Sequence, residues 1–124
     1  MNLLYETIEI LADNGKALPD IIAIGNSDYS MTLEEFIELA NVEYDESYGA
    51  QEVADDLYLV GEDFWLERHE YDGAEGWDFK QMPTIATDGK KIKYLTVGQR
   101  EVATGIYLTG WVGLEGLNGW LVEE

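Results

Sequence analysis

Between Asn2 and Asn14 the apolar residues Leu3, Leu4, Ile8 and Leu11 recur at helical spacing, which predicts an amphipathic first helix. Asn2 can accept a bond from a free N–H of the first turn, and Gly15 stands where helices commonly end. After Pro19 the run Asp20-Ile-Ile-Ala-Ile-Gly25 is rich in β-branched residues and bounded by turn formers. It predicts a strand or an extended segment packed inside. Thr32-Leu-Glu-Glu35 fits a capping box ahead of Phe36, Ile37 and Leu39, so a second helix is expected over about Thr32 to Asn41.

The pattern then changes period. Gln51 to Asp56 suits a helical turn, and Leu57-Tyr-Leu-Val60 a strand. Turns at Gly61 to Asp63 and at Asp72-Gly73 separate it from Phe64–Tyr71 and from Trp77–Gln81, predicting a three-stranded antiparallel meander. Alternation in the middle strand puts Trp65, Glu67, His69 and Tyr71 on one face, and Phe64, Leu66, Arg68 and Glu70 on the other. Beyond the connector Pro83–Lys90, Lys91 to Val97 reads as a strand. The glycines Gly98, Gly105, Gly110, Gly113, Gly116 and Gly119 argue against a long helix there. Asn118-Gly119 is a hairpin signal, and Trp111 and Trp120 are expected to anchor the core or an interface of this tail. The fold class expected is α+β: two N-terminal helices on an antiparallel meander, with a small glycine-rich C-terminal β-unit.

Composition sharpens this picture. The 124 residues suit one domain, with a sub-division into an acidic part, 1–82, and a neutral part, 91–124. The chain is 46% hydrophobic and 12% aromatic, enough to bury a core in spite of its net charge of −19. That charge is segregated: residues 1–79 hold 21 acids against two bases, Lys16 and Arg68, whereas residues 80–124 hold five of each sign. Such a surface repels nucleic acid and anionic membrane, so direct binding to either is excluded and a basic protein surface is the expected partner. Solubility alone asks for a net charge of only about 2 to 8 in magnitude.

Candidate chemistry is thin. Cysteine is absent, which removes disulfides, thiolate nucleophiles and Cys-ligated zinc. His69 is the only histidine, and no serine lies in a nucleophile elbow beside it. Asn26, Asp28, Ser30, Thr32 and Glu35 have the spacing of a calcium loop, but Ile24 and Tyr29 occupy the positions that need a ligand and a glycine. A helix cap explains the same residues. There is no phosphate-cradling glycine motif, and no cofactor is expected. No basic leader or membrane span is apparent, and a cytoplasmic protein is expected.

Met31-Thr-Leu-Glu-Glu-Phe36, Tyr44 to Val53, and Trp65-Leu-Glu-Arg-His-Glu-Tyr-Asp-Gly73 followed by Trp77 resemble small acidic proteins of Gram-positive phages and mobile elements. The resemblance covers Met31 to Pro83 and carries no active site. It implies a context in which acidic proteins inhibit host defence, including anti-CRISPR and anti-restriction proteins that imitate the charge of DNA.

The expectation is therefore a non-enzymatic inhibitor that covers a basic nucleic-acid-binding surface. Its contact residues would be Glu43, Tyr44, Asp45, Glu46, Tyr48, Asp55, Asp56, Glu62, Asp63, Glu67, Glu70, Asp72, Glu75, Trp77 and Asp78. The carboxylates would stand in for phosphates, and exposed Tyr44, Tyr48 or Trp77 would stack on guanidiniums. Two alternatives stay open: a metal-dependent hydrolase using paired acids such as Asp55 and Asp56, and a dimeric structural or adaptor module.

Overall fold

A computed structural model describes residues 1–47, 49–108, 110 and 112–119. The chain divides into two compact units, Met1–Pro83 and Thr84–Glu124.

The first unit is α+β. Helix α1 (Leu3–Asp13) starts at Asn2, whose side chain accepts from the Tyr5 N–H at 3.0 Å, and it stops before Gly15, which has φ +74°. A short 3-10 turn at Leu18–Asp20 leads to strand β1 (Ala23–Gly25), so the expected extended run begins only after Ile22. Strand β2 (Ser30–Met31) precedes helix α2 (Leu33–Leu39). The capping box is present: Thr32 Oγ1 accepts from the Glu35 N–H at 3.1 Å, and Glu35 Oε1 accepts from the Thr32 N–H at 2.9 Å. Asn26 accepts from the N–H groups of Asp28 and Tyr29, so these residues build a turn and a helix cap.

Strands β3 (Tyr58–Val60), β4 (Phe64–Tyr71) and β5 (Ala74–Gln81) form the meander and complete an antiparallel sheet in the order β2-β1-β3-β4-β5. The loop between β4 and β5 is the two residues Asp72 and Gly73, with φ of 54° and 88°. Positive φ at both is what a tight hairpin of the right twist requires.

Register sorts the side chains. Ile24, Leu59, Leu66 and Phe79 lie in line across the sheet, as do Arg68 and Trp77 next to them. This face carries buried Ile24, Leu59, Phe64, Leu66 and Trp77, and the core is completed by Leu3 and Leu11 of α1, Ile21, Phe36 of α2, and Ala40. The opposite face shows Tyr58, Val60, Trp65, Glu67, His69, Tyr71, Asp78 and Lys80. Of the two faces expected for the middle strand, the one bearing Arg68 is the buried one.

The second unit departs from expectation. No strand occurs among its described residues, which instead form helix α3 (Val97–Thr104) and helix α4 (Leu114–Asn118). The N–H groups of Lys93 and Tyr94 donate to Asn118 Oδ1 at 2.7 and 2.9 Å, and those of Leu95 and Thr96 to Gln99 Oε1. Side chains thus take the donors that the expected strand Lys91–Val97 would have offered to a ladder. Asn118 ends a helix and does not turn a hairpin. Trp111 and Trp120 lie outside the described residues.

Candidate functional site

The only arginine of the first unit organises its interior. Strand parity sends Arg68 inward beside Leu66, and its side chain is 4% exposed. A buried guanidinium needs partners, because desolvating an unpaired charge costs several kcal/mol, on the order of the stability of a small domain. Glu75, also 4% exposed, meets Arg68 Nη2 at 2.9 Å. Glu6 of α1 lies 3.6 Å from Nη1, an ion pair too long to be a hydrogen bond. Tyr44 accepts from Nη2 at 3.1 Å and donates to Glu6 Oε1 at 2.5 Å. The Trp77 ring completes the enclosure, with its centroid 4.6 Å from the guanidinium carbon.

This network ties four segments together. Glu6 Oε2 accepts from the Trp77 backbone N–H at 3.2 Å, and the Glu46 carbonyl accepts from the Glu75 N–H at 2.9 Å. Two outward N–H groups of the edge strand β5 are thereby occupied, which keeps that part of the edge from pairing with another chain. Glu75 also accepts from the N–H groups of Glu52 and Val53, and Gln51 to Asp56, expected as a helical turn, is irregular with a turn at Asp55 and Asp56.

The titration of the cluster follows from these contacts. Burial alone would raise the Glu75 carboxyl, but the Glu52 N–H, Arg68 and the Val53 N–H outweigh it and hold the group below its ordinary range. Burial likewise opposes the charge of Arg68, and its bonds to Tyr44 and Glu75 prevail, so the guanidinium is more firmly protonated. Burial and the bond to Glu6 push the Tyr44 hydroxyl up to about 12, against the pull of Arg68.

A raised folded-state value means that stability is complete below the ordinary 10 of tyrosine and is lost as pH climbs through about 12. For a ring that is partly solvated, the expected loss is about 1 kcal/mol between those limits. Urea melts at stepped pH, alongside 295 nm absorbance, check this. Tyr44→Phe should show no such slope.

Three of the expected contact residues are therefore internal. Trp77 is 5% exposed and packed in the core, because the odd positions of β5 face α1. Glu75 is consumed by Arg68, and Tyr44 is half-buried with its hydroxyl engaged on both sides. Tyr48 lies outside the described residues.

The other positions do reach the surface, at several places. Glu43, Asp45 and Glu46 lie on the segment held beside the β4–β5 hairpin, at whose tip Glu70 and Asp72 are exposed. Glu67 and Asp78 face each other directly on the outer face of the sheet, where Lys80 pairs with Asp78 at 3.4 Å. Glu62 and Asp63 stand at the opposite end of β4, and Asp63 meets Lys16 at 3.6 Å. Eight strand residues at about 3.3 Å each put the two ends of β4 roughly 25 Å apart. Asp55 and Asp56 occupy the turn before β3, where Asp56 accepts from Asn26 at 2.9 Å.

Sequence reasoning missed Glu6 and Thr7. Thr7 sits midway between Leu3 and Leu11 on the same helical stripe, and this was the available signal. It is fully buried, accepting from Trp77 Nε1 at 2.9 Å and donating to the Leu3 carbonyl at 2.8 Å.

Among the described residues no three His, Asp or Glu side chains gather as metal ligands, and no helix is long and apolar enough to cross a membrane. The chain matches no known protein family, no characterised protein and no solved structure.

Proposed function

We propose that the first unit is a non-enzymatic interaction module that occupies a basic, nucleic-acid-binding surface of another protein. The observation that carries the reading is the internal use of every base in that unit. Lys16, Arg68 and Lys80 each pair with a carboxylate of the same unit, leaving an excess of exposed acids. A cationic partner would meet Glu43, Asp45, Glu70 and Asp72 at one end of β4 and Glu62 and Asp63 at the other. The likeness to acidic phage proteins supports a host defence nuclease as that partner. A hydrolase built on paired acids is the weaker reading, since the described residues bring no three ligands together.

The test is capture from a bacterial lysate, followed by competition with a 20-base-pair DNA duplex and kinetics at rising salt. Displacement by the duplex is expected, with an association rate that falls about 10- to 10³-fold from low to high salt. A captured protein that the duplex leaves in place, or whose association ignores ionic strength, would sink the proposal.

A further inference from the structure

The outer face of the sheet has a hollow where the register brings small residues together. Gly25 lies between Ser30 of β2 and Tyr58 of β3, and Ala23 lies opposite Val60, so the two outward positions of β1 contribute no more than a methyl group. Nothing larger fits at Gly25: its φ is +137°, and a Cβ there would collide with the Tyr29 carbonyl. The result is a groove of about 470 Å³ with Ala23 and Gly25 as its floor, bordered by Ile22, Tyr29, Tyr58 and Val60. Ile22 and Tyr29 are 70% and 77% exposed, and Tyr58 is exposed as well. Apolar and aromatic side chains gathered around one concave place are what a binding groove offers a partner.

Charge decides what the groove takes. Among the described residues no base lines it. Asn26, at its border, donates from Nδ2 to Asp56 at 2.9 Å, which brings that carboxylate to the rim, and exposed Asp28 lies in the turn between Asn26 and Tyr29. On the side of β4, Trp65 stands opposite Val60, and its Nε1 donates to Glu67 at 2.8 Å. Tyrosine rings with carboxylates beside them suit a guanidinium, which is planar, weakly hydrated and able to stack while its methylene stem covers apolar surface. The interior of the same unit holds Arg68 in this manner, with the Tyr44 and Trp77 rings at 5.6 and 4.6 Å and the carboxylates of Glu6 and Glu75 around it. We infer that this groove docks an arginine side chain from a basic segment of the partner protein. The inference rests on the function proposed above and specifies the cation that such a partner presents.

A comparison of two cations of equal charge tests it. The full chain, labelled with nitrogen-15, is titrated with a capped peptide of alternating arginine and glycine, and with the same peptide carrying lysine in place of arginine. The arginine peptide should bind about fivefold more tightly and shift the amides of Ala23, Ser30, Tyr58 and Val60. Ala23→Leu fills the floor at an exposed position, and Tyr29→Ala removes an exposed ring from the border. Each should bring the ratio of affinities close to one with an unchanged far-ultraviolet circular dichroism spectrum. Glu70→Gln, at the hairpin end of β4, should weaken both peptides alike and keep the preference.

Equal affinities in the parent chain, shifts confined to the two ends of β4, or a preference that survives both groove substitutions would overturn the inference. The basic-surface reading would then stand, since duplex competition tests it separately. Arginine preference at the groove, together with a captured protein that the duplex fails to displace, would sink that reading and leave the groove an arginine site.

Discussion

Replacing Arg68 with methionine should lower the free energy of unfolding by about 3–5 kcal/mol, because two carboxylates are then left in the interior without their cation. Methionine fills similar space, so the loss is electrostatic more than steric. Glu75 retains the N–H groups of Glu52 and Val53, and Glu6 retains Tyr44 and the Trp77 N–H. Neither set supplies a positive charge. Adding Glu6→Gln and Glu75→Gln to Arg68→Met should recover part of the loss, since removing all three charges removes the desolvation problem as well.

The pH profile carries the same signature with a definite sign. The depressed carboxyl of Glu75 contributes stability that is present above its ordinary 4.5 and disappears as pH falls through the lower folded value. The parent chain should therefore lose stability in acid, whereas Arg68→Met should lack that loss, its carboxylates being relieved by protonation. Urea melts at pH 3 to 7 measure both. A deficit below about 1 kcal/mol at pH 7 would put the cluster on a par with a surface ion pair and defeat the account.

How much of this was legible beforehand depends on the range of the interactions that decide each element. Helix α2 was legible because Thr32 and Glu35 settle it within one turn, and the β4–β5 hairpin because Asp72 and Gly73 do the same. Helix α3 was legible in principle: Thr96-Val-Gly-Gln99 is also a capping box, with Thr96 Oγ1 accepting from the Gln99 N–H at 3.1 Å. The glycine count concealed it, although Gly105, at φ +75°, is the residue that ends the helix. Helix α4 was harder, because Asn118 bonds to the 93–94 backbone 24 and 25 residues away, which no local rule anticipates.

The site was read least well for a related reason. An acidic chain with scattered aromatics suggests exposed rings and exposed carboxylates, and for Asp45, Asp55 and Asp72 that held. The scarcity of bases carried the opposite message. An arginine on the same strand face as Phe64 and Leu66 turns toward the core, and it draws the nearest acids and aromatics in with it: Glu75 and Trp77 across the hairpin, and Glu6 across the α1 interface. Burial of the minority charge decides which acids are drawn inward and which stay at the surface.

Trp77→Ala should cost about 3–5 kcal/mol, comparable with the loss of Arg68 but arising from packing. The ring is 5% exposed, covers the guanidinium at 4.6 Å, and fixes α1 through Nε1 and Thr7. Truncation opens a cavity between β5 and α1 and uncovers one face of a buried cation. Thr7→Val tests the hydrogen bond apart from the ring, since it leaves a buried indole N–H without an acceptor and should cost about 1–3 kcal/mol. In the Trp77→Ala background the same threonine substitution should cost far less, because the donor is gone. Chemical melts followed by far-ultraviolet circular dichroism give the four values of this cycle. Additive losses would mean that Trp77 and Thr7 act independently, and that the bond between the indole and Thr7 does not fasten α1 to the sheet.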